Sequence, residues 1–520
     1  MTMEAQAPNA AQPFDIPRAK FESLVGELRS PKMSSLTHSE VERMLGREGV
    51  ELMRQMFQAF LTSLGDGRAE GPVQGAEGAE RTHLRLEGRN MMTSFGPVRI
   101  ERMSYGSRET KPLRPLDSGL NLPRGLYSLP VQQRVAEEAA KVSFDETVAA
   151  VTRTSGARVP KRQAEELVVR AAQDFDGFYA QVEREAVLGC EKSGPVLVIT
   201  TDGKGVVMRK KDLRAKTRRK AERREHKLTN RLCRGEKPNA KRMAQVAAVY
   251  TVEPFVRAPE QVLGELAAVR EAGMRRPRPE HKRTWASLKK TPADVIREAY
   301  LEAHRRDPER QKQWAVLVDG NPDQLGMVQK AAKEHGAEVT TVVDFIHALE
   351  YIWKAGRALV GEASPELEGW VQERALRLLC NEGSQVAAGI RRAATLNGLT
   401  GWRRKAADRC ANYLLTNKTS MRYADYLRRG LPIATGVIEG ACRHLVKDRM
   451  DLTGARWRLD RAEAVLQLRA LRSSGDFDAY WIFHERQEQC RNHRLHYLGQ
   501  QIPPTRRPHP TPTLRVVRPD

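Results

Sequence analysis

Apolar positions along the chain change period several times, and each change marks an expected element. Segments such as Val41-Glu-Arg-Met-Leu-Gly and Leu52-Met-Arg-Gln-Met-Phe-Gln-Ala-Phe-Leu have helical spacing. Strict alternation follows in His83-Leu-Arg-Leu-Glu and Val98-Arg-Ile-Glu-Arg-Met-Ser-Tyr, around a turn at Phe95-Gly-Pro, and predicts a β-hairpin. Helical spacing returns between 130 and 175. There Ser143-Phe-Asp-Glu146 matches a capping box, Gly156 offers a turn, and Pro160 opens a second helix at helix-turn-helix spacing.

From about 191 the pattern becomes strand-like. Val196-Leu-Val-Ile-Thr-Thr, Gly205-Val-Val-Met, Met243 to Val252, Trp314 to Val318 and Val339 to Val343 are apolar, β-branched runs. Helices are expected at 292–305 and 323–335, and 345–430 shows helical pattern alone, which marks an insertion. Another Pro- and Arg-rich stretch, Met274 to Arg283, reads as a surface loop. After 475 periodicity is lost, and Pro503-Pro-Thr-Arg-Arg-Pro-His-Pro reads as a disordered basic tail.

These shifts suggest seven segments: an N-terminal tail, helical stretch and linker (1–80), a β-hairpin module (81–129), a helical DNA-binding region (130–190), the first part of a catalytic core (191–347) with a basic insertion (206–242), a helical insertion (348–430), the last part of the core (431–475) and a C-terminal tail (476–520).

Charge narrows the class of partner. Lys and Arg number 88 and Asp and Glu 65 among 520 residues, a formal +23 that favours a polyanion, nucleic acid first. The excess is concentrated after Val207, where Arg209, Lys210, Lys211, Arg218, Arg219 and Lys220 are expected to contact DNA. No apolar run reaches the roughly 20 residues of a spanning helix, and the N-terminus lacks a secretory pattern, so a cytoplasmic location is expected. Six scattered cysteines never form C-x-x-C, which argues against a zinc ribbon or disulfide framework. Cys442 reads as a core thiol.

Chemistry concentrates in three segments. Val196-Leu-Val-Ile-Thr-Thr-Asp202-Gly and Trp314-Ala-Val-Leu-Val-Asp319-Gly each read as a buried strand delivering a carboxylate to a sheet edge, with Gly203 and Gly320 making room for a phosphate backbone. Val437-Ile-Glu439-Gly-Ala-Cys-Arg443-His-Leu-Val-Lys447 reads as a helix that packs through Ile438, Ala441, Leu445 and Val446 and carries Glu439, Arg443 and Lys447 on one face. Asp448 and Asp451 are rival third acids. Three carboxylates suit two Mg²⁺ ions about 3.5–4 Å apart acting on a phosphodiester. Either Asp-Gly alone is ordinary turn chemistry.

At these residues the chain resembles the DDE transposases of bacterial insertion sequences, most closely the ISKra group. The likeness runs through Thr201-Asp202-Gly-Lys-Gly, Val318-Asp319-Gly-Asn-Pro, Val343-Asp344-Phe-Ile-His347, the Glu439 segment and Gly454-Ala-Arg456-Trp457, over roughly 83–470. It implies an α/β, RNase H-like fold: a mixed five-stranded sheet flanked by helices, interrupted by an all-helical insertion and preceded by the helical and β-hairpin DNA-binding region. It places Asp202, Asp319 and Glu439 as the catalytic, metal-holding acids for Mg²⁺, with Mn²⁺ as a substitute. It puts Asp344 and His347 in a D-x-x-H pattern, either behind the acids or as a helix start. Related transposases often carry metal-binding cysteine pairs after the segment matching Val98 to Tyr105. Here Tyr105-Gly-Ser-Arg has none, so a DNA contact from the hairpin would not use zinc.

The expected activity is strand cleavage and transfer at terminal inverted repeats of double-stranded DNA, by a homodimer or larger assembly in the bacterial cytoplasm. Arg443, Lys447 and Arg456 are expected to hold phosphates, and Trp457 to stack on a flipped base or pack in the core. The rival readings are an RNase H-like nuclease without joining, and a catalytically silent DNA-binding relic or repressor.

Overall fold

The computed structural model describes residues 12–108, 110–185, 193–224, 228, 231, 233, 239–266 and 275–506. Cys190, much of the basic stretch 225–238 and the tail 507–520 lie outside them. By contacts the chain divides into two units: Met1–Asp174 with Asp478–Asp520, and Phe175–Phe477.

The first unit begins with helices Asp15–Leu28 and His38–Ser63, the second opened by a Thr37/Glu40 capping box. Strands β1 (His83–Thr93) and β2 (Gly96–Gly106) form the expected antiparallel hairpin, with Thr93 opposite Gly96. Leu61, Met91, Val98, Ile100, Leu116 and Leu122 make one apolar core. Three short helices follow, Leu129–Lys141, Phe144–Thr154 and Lys161–Ala171. The Ser143/Glu146 capping box forms as the sequence predicts, while Pro160 serves as the N-cap residue rather than as a helical one.

The region after 475 corrects its expectation of an aperiodic tail. Phe477–Asn492 is a helix, and beyond its first residue it belongs to the first unit. Tyr480 donates to the Ala171 carbonyl at 2.6 Å, His484 Nδ1 lies 2.7 Å from Asp174, and Arg491 grips Asp174 with both terminal nitrogens at 3.0 and 2.9 Å. Its buried face, Phe477, Tyr480, Trp481 and His484, is built from aromatic and ionisable side chains rather than aliphatic ones, so the sequence shows no aliphatic stripe there.

The second unit is built on a mixed five-stranded sheet, ordered β5-β4-β3-β6-β7. Strand β3 (Val196–Val207) runs antiparallel to β4 (Lys241–Val252) and parallel to β6 (Gln313–Val318). In turn β6 is parallel to β7 (Val339–Val343), and β4 is antiparallel to β5 (Glu280–Ser287). Val196 to Ile199 and Ala315 to Val318 are at most 1 % exposed, as central strands covered on both faces require, and the end of edge strand β7, Val342 and Val343, is fully buried too.

Two expectations change here. Val196–Thr201 and Gly205–Met208 are not separate strands, because β3 continues through Asp202 to Val207. The end of the expected Arg-rich loop is strand β5, whose charged first residues lie exposed at the sheet edge, where such residues block further pairing.

Helix Pro292–Arg306 packs on β3 and β4, and helix Leu459–Ser474 on β5. In that helix the buried Glu463 accepts from the Leu288 amide at 2.7 Å, fixing the end of β5. Five helices occupy 345–428: Phe345–Leu359, Leu367–Leu379, Gly383–Leu396, Gly401–Thr416 and Tyr423–Arg428. No helix among the described residues is long and apolar enough to cross a membrane.

Candidate active site

Strand register decides which carboxylates meet. Val196 pairs with Gln313 and Thr200 with Leu317, an offset of 117 (313 minus 196) that, continued two residues further, sets Asp202 beside Asp319. Trp314 pairs with Val339 and Val318 with Val343, so the same continuation sets Asp344 beside Asp319. All three aspartates therefore lie at the same end of three parallel strands, one or two residues past the last paired positions. Asp202 does not end its strand. It sits where β3 leaves β6 but remains paired to β4, opposite Val246.

The third acid comes from above the sheet. The helix Gly436–Ala441 continues as a π-helical turn, Cys442–Lys447, before resuming at Asp448–Met450. It packs on β3 and β4 through buried Ile438, Ala441, Leu445 and Val446, as the apolar spacing predicts. The Cys442 thiol donates to Asp202 at 3.3 Å and ties this turn to β3. Burial, then the Asp202 charge, pushes the thiol pKa up, so it stays protonated and able to donate.

Glu439 makes no side-chain hydrogen bond or ion pair among the described residues. Although its side chain is exposed, partial desolvation, followed by repulsion from Asp344, Asp202 and Glu350, raises its pKa. The expected row of Glu439, Arg443 and Lys447 on one α-helical face is altered by the wider turn. Arg443 stands 3.8 Å from Asp448, five residues on, and His444 is 3.0 Å from the same acid. Asp448 is thereby engaged by its own helix, and Arg443 and Lys447 remain exposed.

Asp344 is 1 % exposed, and its partners define its part in the site. One oxygen caps helix Phe345–Leu359 by accepting from the amides of Ile346 (2.6 Å) and His347 (3.1 Å). The other accepts from the Thr435 amide at 2.9 Å and from the Thr435 hydroxyl. Thr435 is the N-cap residue of the Glu439 helix, so Asp344 anchors the element carrying the third acid. His347 rests edge-on against Tyr351 and Tyr413 at 5.6 and 6.0 Å.

Sequence reasoning missed several supports because their partners are distant in the chain. Tyr413, from the insertion, donates to the Asp319 carbonyl at 2.7 Å and stacks on Tyr351 at 4.1 Å. Gln324 donates to the Thr201 carbonyl at 2.7 Å, bridging the neighbourhoods of Asp202 and Asp319. Glu350 adds a further negative charge near Glu439.

A side chain at either glycine would crowd its neighbours. Gly320 has φ +83° and a Cβ there would lie 2.7 Å from the Tyr413 hydroxyl, while one on Gly203 would lie 3.1 Å from Met243 Cε. Of the two readings of Trp457, its surroundings match packing in the core. It is 6 % exposed, its indole donates to the Met450 carbonyl at 2.9 Å, and Arg449 lies over its ring, which leaves no face for a base. Its backbone bridges to Met208, joining the 455–457 loop to the end of β3.

The donors are of the kind a hard divalent cation accepts, carboxylate oxygens with Glu439 uncommitted and one Asp319 oxygen engaged by the Asn321 amide at 2.8 Å, but they are not gathered around one point. Asp202, Asp319 and Glu439 do not bring one oxygen each within 4.8 Å of one another. Among the described residues the trio that does is Asp174, His484 and Glu488, in which Arg491 already bridges the two acids. Exposed Arg209, Lys210, Lys211, Arg218, Arg219 and Lys220 follow β3 in the chain, the last three on helix Ala215–Glu222. Arg456 joins Arg209, Lys210 and Arg224 around a cavity of about 650 Å³.

No protein-family model matches the chain, and a search of curated proteins returns no match. Among solved structures, the chain is similar to the Drosophila P element transposase strand transfer complex. Identity is 9 %, covering 72 % of this chain and 83 % of that one, at a TM-score of 0.22.

Proposed function

We propose that this protein is a DNA transposase of the DDE kind, acting from an RNase H-like core on the ends of an insertion sequence related to the ISKra group. The observation that supports this reading is the parallel pairing of β3 with β6, which runs to Thr200 and Leu317, two residues short of Asp202 and Asp319, together with the ties of the Glu439 helix to Asp344 and Asp202.

In this reading Asp202, Asp319 and Glu439 hold two Mg²⁺ ions, or Mn²⁺ in their place. The ions would supply charge neutralisation at phosphorus and a more acidic water. The acids position that water for attack on the scissile phosphorus, and the P–O3′ bond breaks to leave a 3′-hydroxyl. The same acids then orient this hydroxyl against target DNA: its oxygen bonds to the target phosphorus as the target's own 3′-oxygen departs. Arg443, Lys447 and Arg456, with the cations after β3, hold the double-stranded substrate by its phosphates. A homodimer or larger assembly would hold two element ends.

The test is a strand-transfer assay with terminal repeats, supercoiled target and Mg²⁺, comparing the wild type with Asp202→Ala, Asp319→Ala and Glu439→Ala. Joined product that falls at least about a hundredfold in each variant, with DNA binding retained, is expected. Cleavage without joining would replace this reading by a nuclease, and binding without either reaction by a silent DNA-binding protein.

A further inference from the structure

A second concave site, far in sequence from the acids, opens within the first unit. Its volume is about 660 Å³, and it lies among the loop at 76–81, strands β1 and β2, the segment 110–118 and residues 492–497. Its lining holds six cations, Arg81, Arg89, Arg102, Lys111, Arg114 and Arg124, against two acids, Glu77 and Asp117. Burial lowers the pKa of both lining histidines, His493 and His496, so they add no charge at neutral pH. Six minus two leaves +4 in the lining, and Glu87, just outside it, pairs with Arg114 at 2.9 Å and brings this to +3.

The internal partners do not exhaust that charge. Asp117 serves two guanidinium groups, accepting from Arg102 Nε at 2.9 Å with Arg89 Nη1 3.7 Å away. Arg89 otherwise depends on the carbonyls of Pro123 and Gly125. Burial, offset in part by Asp117 and reinforced by Arg102 and Arg114, pushes the Arg89 pKa down. The Arg81 side chain is 3 % exposed, and its Nε is buried without a partner although the other nitrogens reach Glu77 and the Ala79 carbonyl. Lys111 pairs with no described residue, and Arg124 reaches only His496, at 2.8 Å.

Buried cations held by too few acids are costly, and an incoming anion relieves that cost. Forked guanidinium groups match phosphate oxygens in geometry, and the volume exceeds what one carboxylate would fill. We infer that this pocket is a binding site for a phosphoryl group, taken either from a DNA backbone or from a free polyphosphate. The inference is independent of the carboxylate site, since it can be read without metal or cleavage.

The probe is inorganic tripolyphosphate, titrated calorimetrically into the full chain at constant ionic strength. Saturable one-to-one binding is expected, weakened about tenfold or more by Lys111→Ala with Arg124→Ala, retained in Lys111→Arg, and unchanged by Arg392→Ala on an exposed helix of the second unit. Arg124→Gln alone should give a smaller loss, and matching thermal melts would verify folding. Displacement of tripolyphosphate by a short DNA duplex would assign the site to backbone phosphate, and its persistence would assign the site to a free anion. No saturable binding at millimolar concentration, or equal affinity in the wild type and a folded double variant, would overturn the inference.

Discussion

Glu439 is a residue whose ionisation works against folding. Its pKa is raised first by partial desolvation and then by three neighbouring acids. A carboxyl whose folded-state pKa lies above its unfolded value binds its proton more tightly in the folded chain. Ionising it therefore costs stability above that pKa, and the cost disappears once pH falls below the unfolded value, where both states are protonated. Glu439→Gln should accordingly raise the thermal midpoint at about pH 8 without Mg²⁺, with the gain closing towards about pH 4. Added Mg²⁺ should raise the wild-type midpoint more than that of the variant. Scanning fluorimetry across pH checks both, and a variant melting at or below the wild type at the alkaline end would contradict the electrostatic account. Cys442 and Trp457 make the complementary point: their types were visible in the sequence, but their partners, Asp202 and Met450, were not.

Between elements, the decisive link is the Asp344–Thr435 clamp. Val343-Asp344-Phe-Ile-His347 was legible as a strand end and helix start, but nothing local reveals that the second carboxylate oxygen reaches 91 residues along to the Glu439 helix. Asp344→Ala removes a helix cap and leaves the buried Thr435 amide and hydroxyl without their acceptor, an expected cost of about 2–4 kcal/mol. Thr435→Val deletes only the hydroxyl and should cost about 1 kcal/mol. Urea denaturation followed by tryptophan fluorescence orders the two, and strand transfer should decline in the same order. Equal stability of Asp344→Ala and wild type would remove the clamp from the site. The π-turn at Cys442–Lys447 was likewise invisible, because a 3.6-residue period was assumed where the chain takes a wider one. Strand β5 was hidden for another reason: its charged half suits a sheet edge and carries no apolar alternation.

At the scale of the whole molecule, +23 sets a long-range field, and the exposed cations after β3 bring part of it close to the acids in sequence. If these residues contact phosphates, each contact should contribute about 0.9 to the slope of log affinity against log salt. Replacing Arg218, Arg219 and Lys220 together by alanine should reduce that slope by about 2–3 on duplex DNA, as read by fluorescence anisotropy from low to moderate salt. An unchanged slope would leave helix Ala215–Glu222 outside the DNA footprint. Composition, helical and alternating periods, capping boxes and the apolar strand runs are local properties, so the sequence by itself determined the mixed α/β character, the hairpin, most helices and the identity of the candidate acids. Register, the route of the C-terminal helix, the Asp344 clamp, the burial of Trp457 and the crowded cations of the second pocket arise where segments distant in the chain converge. Only the tertiary structure could decide them, because burial and charge pairing depend on which distant groups arrive at the same place.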